Sequence, residues 1–455
     1  MSDLLLGADL GTSGLKVVAH DDAGTTVAEA ERGYELERPQ PGWAESDVGT
    51  WQAALEEALA ELAPALSGRR VRALGLAGQM HGAVLVDGTG AALRPALLWP
   101  DGRAAGELDR WRALGAADRA ALANPLVPGM TGPLVAWLAR HEPATLARAA
   151  AVLLPKDALR AALVPGAPPG VTDRSDASAT LLWDVPGERW SLPVVAAAGL
   201  PAELLPEVRA SAEIVGEARI GPVVVGGADT PLALLAAGSG GGLHVNLGTG
   251  VQVLRPGTEP RPAEDPVVHC YADTGDGWYA MAALQNGGSA WSWACGVLGL
   301  TLRELFDVAA TVPAGAGGVR FRPFLTGERG GVAGPADRGG WTGLHPGTTR
   351  ADLARAAVEG VLFAVRSAVD LLGGPGDEPV VLTGGGARSA VVQQLAADVL
   401  RRPVQHLRLR SASAVGAAVL AGRGVGLDVV PRRVTGPLLD PRPSAALEVA
   451  VEEWR

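Results

Sequence analysis

Two aspartates stand beside glycines at the ends of predicted apolar strands. Asp9 closes the apolar segment 4–9 and precedes a Gly-Thr-Ser-Gly turn at 11–14, and Asp229 follows the apolar segment 222–227. A carboxylate beside a phosphate-binding turn can ligate Mg²⁺, and one at a strand end is well placed to act as a general base. A strand-end aspartate is also a common helix N-cap, and the Thr-Pro pair at 230–231 fits that alternative for Asp229.

Two glycine turns occupy similar places in the two halves of the chain. Residues 11–14 read Gly-Thr-Ser-Gly and residues 248–250 read Gly-Thr-Gly, each preceded by leucine and placed between apolar segments. Glycine lets backbone N–H groups approach anionic oxygens, and threonine or serine adds a hydroxyl donor. The pattern predicts an internal duplication whose two turns grip a triphosphate from opposite sides, although two unrelated hairpins would look the same locally. The residues concerned are Gly11, Thr12, Ser13, Gly248, Thr249 and Gly250.

A third glycine run, Gly384, Gly385 and Gly386, lies between a predicted strand and a predicted helix. Backbone without side chains can pass close under a flat ligand such as a nucleotide, with a helix N-terminus nearby. A glycine turn that serves only the chain geometry is the alternative. The chain has neither a Gly-x-x-x-x-Gly-Lys-Ser/Thr loop nor a Gly-x-Gly-x-x-Gly fingerprint, which disfavours P-loop, Rossmann and protein-kinase sites.

Polar side chains follow the predicted buried strand 71–77. Gln79, Met80 and His81 come directly after it and suit a polyhydroxylated ligand, although His81 alone would more often be structural. The segment 99–103 offers an aromatic platform, an acid and a base in Trp99, Asp101 and Arg103. Taken alone, it is a turn in which Asp101 and Arg103 pair with each other.

Composition excludes several classes of protein. The 455 residues are enough for two or three domains, and the formal net charge of −10 disfavours nucleic-acid and anionic-membrane partners. The two cysteines, Cys270 and Cys295, have no Cys-x-x-Cys spacing, so we expect a reduced, cytoplasmic protein without a disulfide framework or zinc site. No signal peptide or membrane span is expected, because no apolar run is long enough.

The predicted elements favour a mixed α/β fold. Three meandering strands at 4–9, 15–20 and 26–34 precede a helix capped by Asp47 or Thr50 and the strand 71–77. The second half continues with a strand at 278–284, a helix at 350–372, a strand at 379–383 and a helix at 389–400. A hinge is expected near 226–242, where the glycine run 238–242 forms a tight loop.

Together these segments resemble the FGGY carbohydrate kinases, which include glycerol kinase, gluconokinase and xylulokinase. The resemblance is strongest to the xylulokinases, because of Gln-Met-His-Gly at 79–82, and it runs over most of the chain. Further matching segments are 7–16, 42–45, 98–103, 140–143, 154–157, 173–177, 226–229, 248–249, 327–329 and 384–388.

This resemblance implies two ribonuclease-H-like domains of the actin/hexokinase type around a central cleft. Residues 1–235 would bind the sugar and residues 236–455 would bind ATP. Asp229 would be the general base, and Asp9 would hold Mg²⁺ together with Asp229. The sugar would be contacted by Gln79, Met80, His81, Trp99, Asp101 and Arg103, and the nucleotide by Lys16, the three glycine runs and Arg388.

The expected reaction is the ATP-dependent conversion of D-xylulose to D-xylulose 5-phosphate. The alternatives are another pentulose, a polyol or a modified sugar, an actin-like nucleotide switch without catalysis, and a degenerate kinase kept for binding. A homodimer is the candidate assembly.

Three departures from the xylulokinase pattern bear on the choice of sugar. Thr230 replaces the usual Asn after the base, Pro100 replaces the Asn of Trp-Asn-Asp, and Gly330-Gly331 replaces a Thr-Pro pair. Loss of amide side chains near a sugar changes which hydroxyls are recognised.

Overall fold

The architecture is that of two α/β domains, each built on a mixed sheet. A computed structural model describes residues 3–238, 242–373 and 378–455. The predicted glycine loop at 238–242 lies largely outside these ranges. No helix within them is long and apolar enough to cross a membrane.

The N-terminal domain contains the following elements. Its strands are β1 (Leu4–Leu10), β2 (Gly14–Asp21), β3 (Thr26–Gly33), β4 (Glu45–Ser46), β5 (Val71–Gly78), β6 (Val84–Val86), β7 (Ala96–Leu97), β8 (Ala151–Leu153), β9 (Val171–Asp173), β10 (Trp183–Asp184), β11 (Arg189–Trp190), β12 (Glu207–Arg209), β13 (Ile214–Ala218), β14 (Gly221–Val224) and β15 (Gly227–Ala228). Its helices are α1 (Val48–Leu66), α2 (Leu108–Arg112), α3 (Ala116–Ala121), α4 (Thr131–His141), α5 (Pro143–Leu146), α6 (Pro155–Leu163), α7 (Arg174–Ala177), α8 (Leu192–Ala197) and α9 (Asp229–Ala237).

The C-terminal domain contains the remaining elements. Its strands are β16 (His244–Leu247), β17 (Val251–Pro256), β18 (His269–Ala272), β19 (Trp278–Leu284), β20 (Arg320–Arg322), β21 (Gly340–Thr342), β22 (Val380–Thr383), β23 (Val404–Arg408) and β24 (Val434–Leu439). Its helices are α10 (Gly288–Leu298), α11 (Leu302–Ala310), α12 (Arg350–Leu371), α13 (Ala390–Leu400), α14 (Ala412–Gly424) and α15 (Ala445–Trp454). Short 3₁₀ helices lie at Arg103–Glu107, Ala202–Leu204, Ala316–Gly318 and Gly386–Arg388.

The two main sheets repeat one strand order. In the first sheet β3, β2, β1, β5 and β14 are neighbours in that order, and in the second β19, β17, β16, β22 and β23 follow the same pattern. In the first sheet, antiparallel pairing joins β1 to β2 and β2 to β3, and β5 pairs parallel with β1. In the second sheet, antiparallel pairing joins β16 to β17 and β17 to β19, and β22 pairs parallel with β16. The two glycine turns join the first two strands of each meander. The repeated topology therefore confirms the predicted pair of ribonuclease-H-like domains.

Helix α14 links the two domains. It comes from the C-terminal part of the chain but packs on β1 and β5 of the first sheet and on α9. Gly75 in β5 allows this approach, because a Cβ there would overlap the carbonyl oxygen of Ala417 in α14. Gly416 has the same relation to the carbonyl oxygen of Leu232 in α9. Bare backbone at these positions thus lets α14 pack against the sheet and lets α9, whose first residue is Asp229, pack against α14.

Local sequence signals explain most element boundaries. Asp47 accepts from the Gly49 N–H and caps α1, which confirms one of the two predicted caps. Thr349 and Asp352 form a capping box at the start of α12, and Ser389 caps α13. Apart from segment 222–227, the predicted strands and helices of both halves are confirmed, with ends that differ by a residue or two.

The apolar strand predicted at 222–227 is wrong as one continuous element. The chain forms β14, breaks, and then pairs again with β5 over the two residues of β15. The break occurs because Gly226 has a φ of 88°, and a side chain there would meet the Leu76 carbonyl. Asp229 is consequently the first residue of α9, with Ala228 as the N-cap, so the N-cap alternative for Asp229 is also wrong.

Candidate active site

Strand β5 places the two predicted aspartates at the same edge of the sheet, one on each side of it. Its residue Ala77 pairs with Asp9 of β1 on one side and with Gly227 of β15 on the other, and all three strands are parallel. Their carboxyl ends therefore meet at one edge of the sheet. Asp9 lies at that edge in β1, and Asp229 follows β15 immediately.

Both carboxyls have raised pKa values. Burial and the charge of Asp229 together raise the pKa of Asp9 from 3.8 to about 7, although the charge of Lys16 lowers it. Burial raises the pKa of Asp229 to about 6, while hydrogen bonds from Thr230 lower it. A cation bound near both carboxyls would favour their ionised forms. A carboxylate with a raised pKa can also accept a proton near neutral pH.

A divalent cation at this edge would have few protein ligands. Within the described ranges, no group of three or more His, Cys, Asp or Glu side chains is arranged to hold a metal ion. Mg²⁺ commonly binds through one or two carboxylates and completes its shell with water and substrate phosphates. Asp9 and Asp229 fit that donor set.

The first glycine turn is fixed by side chains from three other elements. The Trp99 indole N–H donates to the Thr12 hydroxyl (2.8 Å), which donates to the Gln79 side-chain oxygen (3.2 Å). The carbonyl of Gly11 accepts from the Tyr34 hydroxyl (2.6 Å) and from the Gln79 amide (3.3 Å). The turn beside Asp9 is thus held rigidly, and Trp99 keeps 41% of its surface exposed.

The predicted sugar-recognition residues lie at the end of β5. Nδ1 of His81 lies 2.6 Å from the Ala179 carbonyl, which can only accept, so Nδ1 carries the proton and Nε2 is an acceptor. Burial lowers the pKa of His81 to about 4, and the charge of Arg329 lowers it too, so the ring is neutral. The Met80 sulfur accepts from the Tyr279 hydroxyl at 3.7 Å.

Asp101 and Arg103 form a buried ion pair, as the turn alternative predicted. The Arg103 guanidinium donates to both oxygens of Asp101 (2.9 and 2.8 Å), contacts Glu45 at 2.6 Å and stacks over Trp43. Asp101 also accepts from the Ala44 N–H at 2.6 Å. Their side chains are buried and tie segment 99–103 to segment 43–45.

Two cavities meet at Gly384. The smaller, of about 330 Å³, is lined by Asp229, Thr230, Asn246, Gln252 and Thr383. The larger, of about 1030 Å³, is lined by Lys16 of the N-terminal domain and by Gly384, Gly385, Arg388 and His406 of the other domain. The structure thus places Asp229 and the first two glycines of the third run along adjoining cavities, whose lining comes from both domains.

Not all of the predicted nucleotide residues line these two cavities. Gly386 is buried, and a Cβ there would contact Trp291. The carbonyls of Gly248 and Thr249 accept from the N–H groups that open α10. Lys16 pairs with Glu31 at 3.6 Å at the rim.

Sequence reasoning missed several residues of this region. Tyr34 supports the first glycine turn, and Tyr271 and Tyr279 on the β18–β19 hairpin pack with Met80. Glu328 is buried and accepts from the backbone of residues 285 and 286, so it fixes the segment before α10. No local sequence pattern predicts these contacts. Glu328 alone lay in a segment used for the family resemblance.

Comparison with known proteins agrees with this geometry. Residues 4–240 match the N-terminal domain of the FGGY family of carbohydrate kinases, and residues 243–425 match its C-terminal domain. The chain belongs to the FGGY family of carbohydrate kinases. Kinases of this family act on a sugar and on ATP, both of which are small molecules.

Xylulose kinases are among its relatives. It is 34% identical over 438 residues to the xylulose kinase of Escherichia coli and 33% identical to that of Klebsiella pneumoniae, in each case covering 92% of this FGGY kinase and 89% of the relative. The crystal structure of xylulose kinase from Rhodospirillum rubrum superposes with a TM-score of 0.89 at 30% identity, over 99% of this chain and 96% of that one.

Proposed function

We propose that this FGGY kinase transfers the γ-phosphoryl group of ATP to a hydroxyl of D-xylulose, forming D-xylulose 5-phosphate and ADP. The single observation that carries the proposal is the pair Asp9 and Asp229 beside β5, at a cleft that also contains Gly384. Relatives that are 33–34% identical over most of the chain are xylulose kinases, which supports the choice of sugar.

Asp229 is the proposed general base. With a pKa raised to about 6, its carboxylate is ionised at neutral pH and still basic enough to take a proton from a sugar hydroxyl. The sugar oxygen then bonds to the γ-phosphorus, the bond to the bridging oxygen of ADP breaks, and the proton stays on Asp229. Phosphoryl transfer depends mainly on such positioning and on stabilisation of charge.

Asp9 is the proposed metal-binding residue, together with Asp229. Mg²⁺ held there would offset the negative charge of the phosphates. Lys16 opposes Asp9 in the β1–β2 hairpin and lowers its pKa, so it adds positive charge on the same side. The turns 11–13 and 248–250 would supply the remaining contacts to the phosphates.

The sugar is proposed to lie against Gln79, Met80, His81 and Trp99. The neutral His81 ring offers an acceptor nitrogen to a hydroxyl, and the exposed face of Trp99 offers an apolar surface to the ring or chain carbons. Asp101 and Arg103 are assigned the role of bracing this wall, since their charged atoms are engaged with each other and with Glu45. The adenosine is assigned to the larger cavity, against Gly384, Gly385 and Arg388, with Gly386 supporting the run from beneath.

The test is ADP release from Mg·ATP in the presence of D-xylulose, for the wild type and for Asp229→Ala. We expect sugar-dependent release in the wild type and a loss of at least about 100-fold in the variant, since removing a positioned base costs about 10²- to 10⁴-fold. Asp109→Ala is the control, because Asp109 is 79% exposed, pairs with Arg112 and lines neither cavity. Sugar-dependent release that survives in Asp229→Ala would contradict the assignment of the base.

A different pentulose or a polyol is the second candidate substrate. Thr230, beside the proposed base, has a short hydroxyl where xylulokinases resembling this chain carry an amide. A hydroxyl reaches less far than an amide, so a different pattern of sugar hydroxyls would be recognised at that point.

A further inference from the structure

The segment that carries Asp229 has little sheet support of its own. Strand β15 is two residues long and pairs only with β5, and Gly226 before it has left-handed backbone. Asp229 follows directly. A catalytic carboxylate on such a short segment needs other contacts to hold its position.

A buried polar cluster supplies these contacts. The Val225 carbonyl accepts from Arg160 (2.8 Å), and the Ala228 N–H donates to the Ser175 hydroxyl (2.9 Å). The Ser175 hydroxyl donates in turn to Oδ2 of Asp173 (2.5 Å), which also accepts from Ser211 (2.8 Å). The backbone is thus held on both sides of the break at Gly226.

The cluster continues into a set of buried charges. Nζ of Lys156 lies 3.2 Å from Asp173, 2.6 Å from Asp157 and 3.0 Å from Asp176. Arg160 binds Asp157 at 2.5 Å. The charged side chains of this cluster are at most 2% exposed.

The charge of this cluster balances if one acid is protonated. Three carboxyls face two cations, and burial, with the neighbouring Asp173 and Asp157, holds the pKa of Asp176 well above its usual range despite Lys156. A cluster without net charge can stay buried, whereas an unpaired buried charge would be costly.

We infer that Ser175 is a positioning residue for the reaction: through its hydrogen bonds to Ala228 and Asp173, it fixes the placement of the Asp229 carboxylate. This inference rests on the proposed role of Asp229 as the base. Ser175 is fully buried and lines neither cavity, so its role is assigned to the backbone that precedes Asp229 and not to contact with a substrate. The ion pair with Lys156 holds Asp173, the carboxylate to which Ser175 donates.

The test is Ser175→Ala, with separate measurements of kcat, the KM for D-xylulose and the affinity for ATP. A misplaced base lowers kcat, and we expect a fall of about tenfold to 100-fold, in line with the cost of a shift of about 1 Å. The KM and the ATP affinity should stay within about twofold of the wild type, since the inference assigns Ser175 no part in binding either substrate.

Thr180→Val is the matched control. Thr180 is equally buried, and its hydroxyl also accepts from a backbone N–H, that of Leu182, and donates to a carbonyl, that of Ala177. The Thr180→Val variant therefore loses the same kind of hydrogen bonds, but at a position that does not contact segment 225–229. A kcat for Ser175→Ala equal to that of the control would overturn the inference.

Combining the substitution with Asp229→Ala separates positioning from general destabilisation. If Ser175 acts through Asp229, Ser175→Ala causes no further loss in the Asp229→Ala background. An equal fold-loss in both backgrounds would show a merely structural role and overturn the inference. If the Asp229→Ala variant stays fully active, the proposed base is wrong. If Asp229→Ala is inactive and Ser175→Ala has a normal kcat, the base stands and only the role of Ser175 is wrong.

Ser211→Ala serves if Ser175→Ala does not fold. It removes one hydrogen bond to Asp173 and leaves the Ser211 carbonyl, which accepts from the Gly226 N–H, in place. A loss of kcat of about twofold to tenfold at unchanged KM is expected, consistent with a hydrogen bond worth about 1 kcal/mol. No change in kcat would overturn the inference in that case.

Discussion

The hydroxyl of Thr230 lies 3.1 Å from Oδ1 of Asp229 and donates a hydrogen bond to it. This bond favours the ionised carboxylate and so works against burial, which raises the pKa of Asp229 to about 6. The residue that departs from the xylulokinase pattern is therefore in direct contact with the proposed base. Its effect on the base can be measured apart from its effect on the sugar.

Thr230→Val should raise the pKa of Asp229 in the free enzyme. Because the base acts when ionised, activity falls as the pH drops through this pKa, and a higher pKa moves that fall to higher pH. We expect a shift of about half a unit to one unit in the acid limb of kcat/KM against pH. Thr230→Ser, which keeps a hydroxyl, should leave the limb in place. Superimposable profiles for wild type and Thr230→Val would contradict the prediction.

Asp9→Asn should stabilise the protein in the absence of nucleotide and metal while abolishing phosphoryl transfer. The folded-state pKa of Asp9, about 7, exceeds the ordinary 3.8, so its contribution to the free energy of unfolding is complete below about pH 4 and is lost as the pH rises through 7.

The Asp9→Asn variant has no ionisable group at this position, so it does not lose this stability as the pH rises. Its melting temperature should match the wild type near pH 4 and exceed it at pH 8 by about 2–4 °C for each kcal/mol recovered. Thermal melts at both pH values provide the measurement. A melting temperature at pH 8 no higher than that of the wild type would show that Asp9 is not under electrostatic strain.

Gly75→Ala should destabilise the crossing of α14 over the first sheet. The added methyl would overlap the Ala417 carbonyl, a backbone atom that cannot rotate away, so a loss of about 1–3 kcal/mol or more is expected. Gly106→Ala is the control, since a Cβ there has no neighbour within 4 Å. Thermal melts of both variants test the point, and equal melting temperatures would speak against the close packing of α14.

Thr12→Val should loosen the first glycine turn. It removes the acceptor of the Trp99 indole and the donor to Gln79 together. We expect kcat to fall by about tenfold, which corresponds to roughly one hydrogen bond of 1.4 kcal/mol. Thr311→Val, at an exposed helix end, should leave the steady-state rate unchanged. A normal kcat for Thr12→Val would show that the turn needs no such support.

Much of the fold follows from local pattern. The alternating apolar segments, the Asp47 cap and the Leu-Gly-Thr repeat suffice to predict two similar meanders, because each depends on neighbours in sequence. The break at Gly226 does not follow in this way. It depends on the Leu76 carbonyl, about 150 residues away in the chain, so the segment looks like one strand when read alone.

The candidate site shows the same division. Asp9 and Asp229 can be picked out from the strands and glycines beside them, but their proximity depends on the pairing of β1 and β15 with β5. Tyr34 has no local signal, because its hydroxyl matters only through the Gly11 carbonyl. Ser175 and Lys156 belong to segments that carried the family resemblance, yet only the folded chain shows that Ser175 reaches the Ala228 N–H and that Lys156 pairs with Asp173 beside it. The domain boundary at 235 and the homodimer remain predictions.

The most direct test of the proposed function is kcat/KM with Mg·ATP for a panel of D-xylulose, other pentuloses, aldoses and polyols, with the phosphorylated carbon of each product determined. We predict that D-xylulose is the best substrate, by at least about tenfold over other pentuloses, because a site built to bind sugar hydroxyls discriminates strongly against misplaced ones. We also predict that the product carries its phosphate on carbon 5. A higher kcat/KM for another sugar would contradict the assignment of D-xylulose, and the absence of phosphorylation with any sugar in the panel would contradict the proposed kinase activity itself.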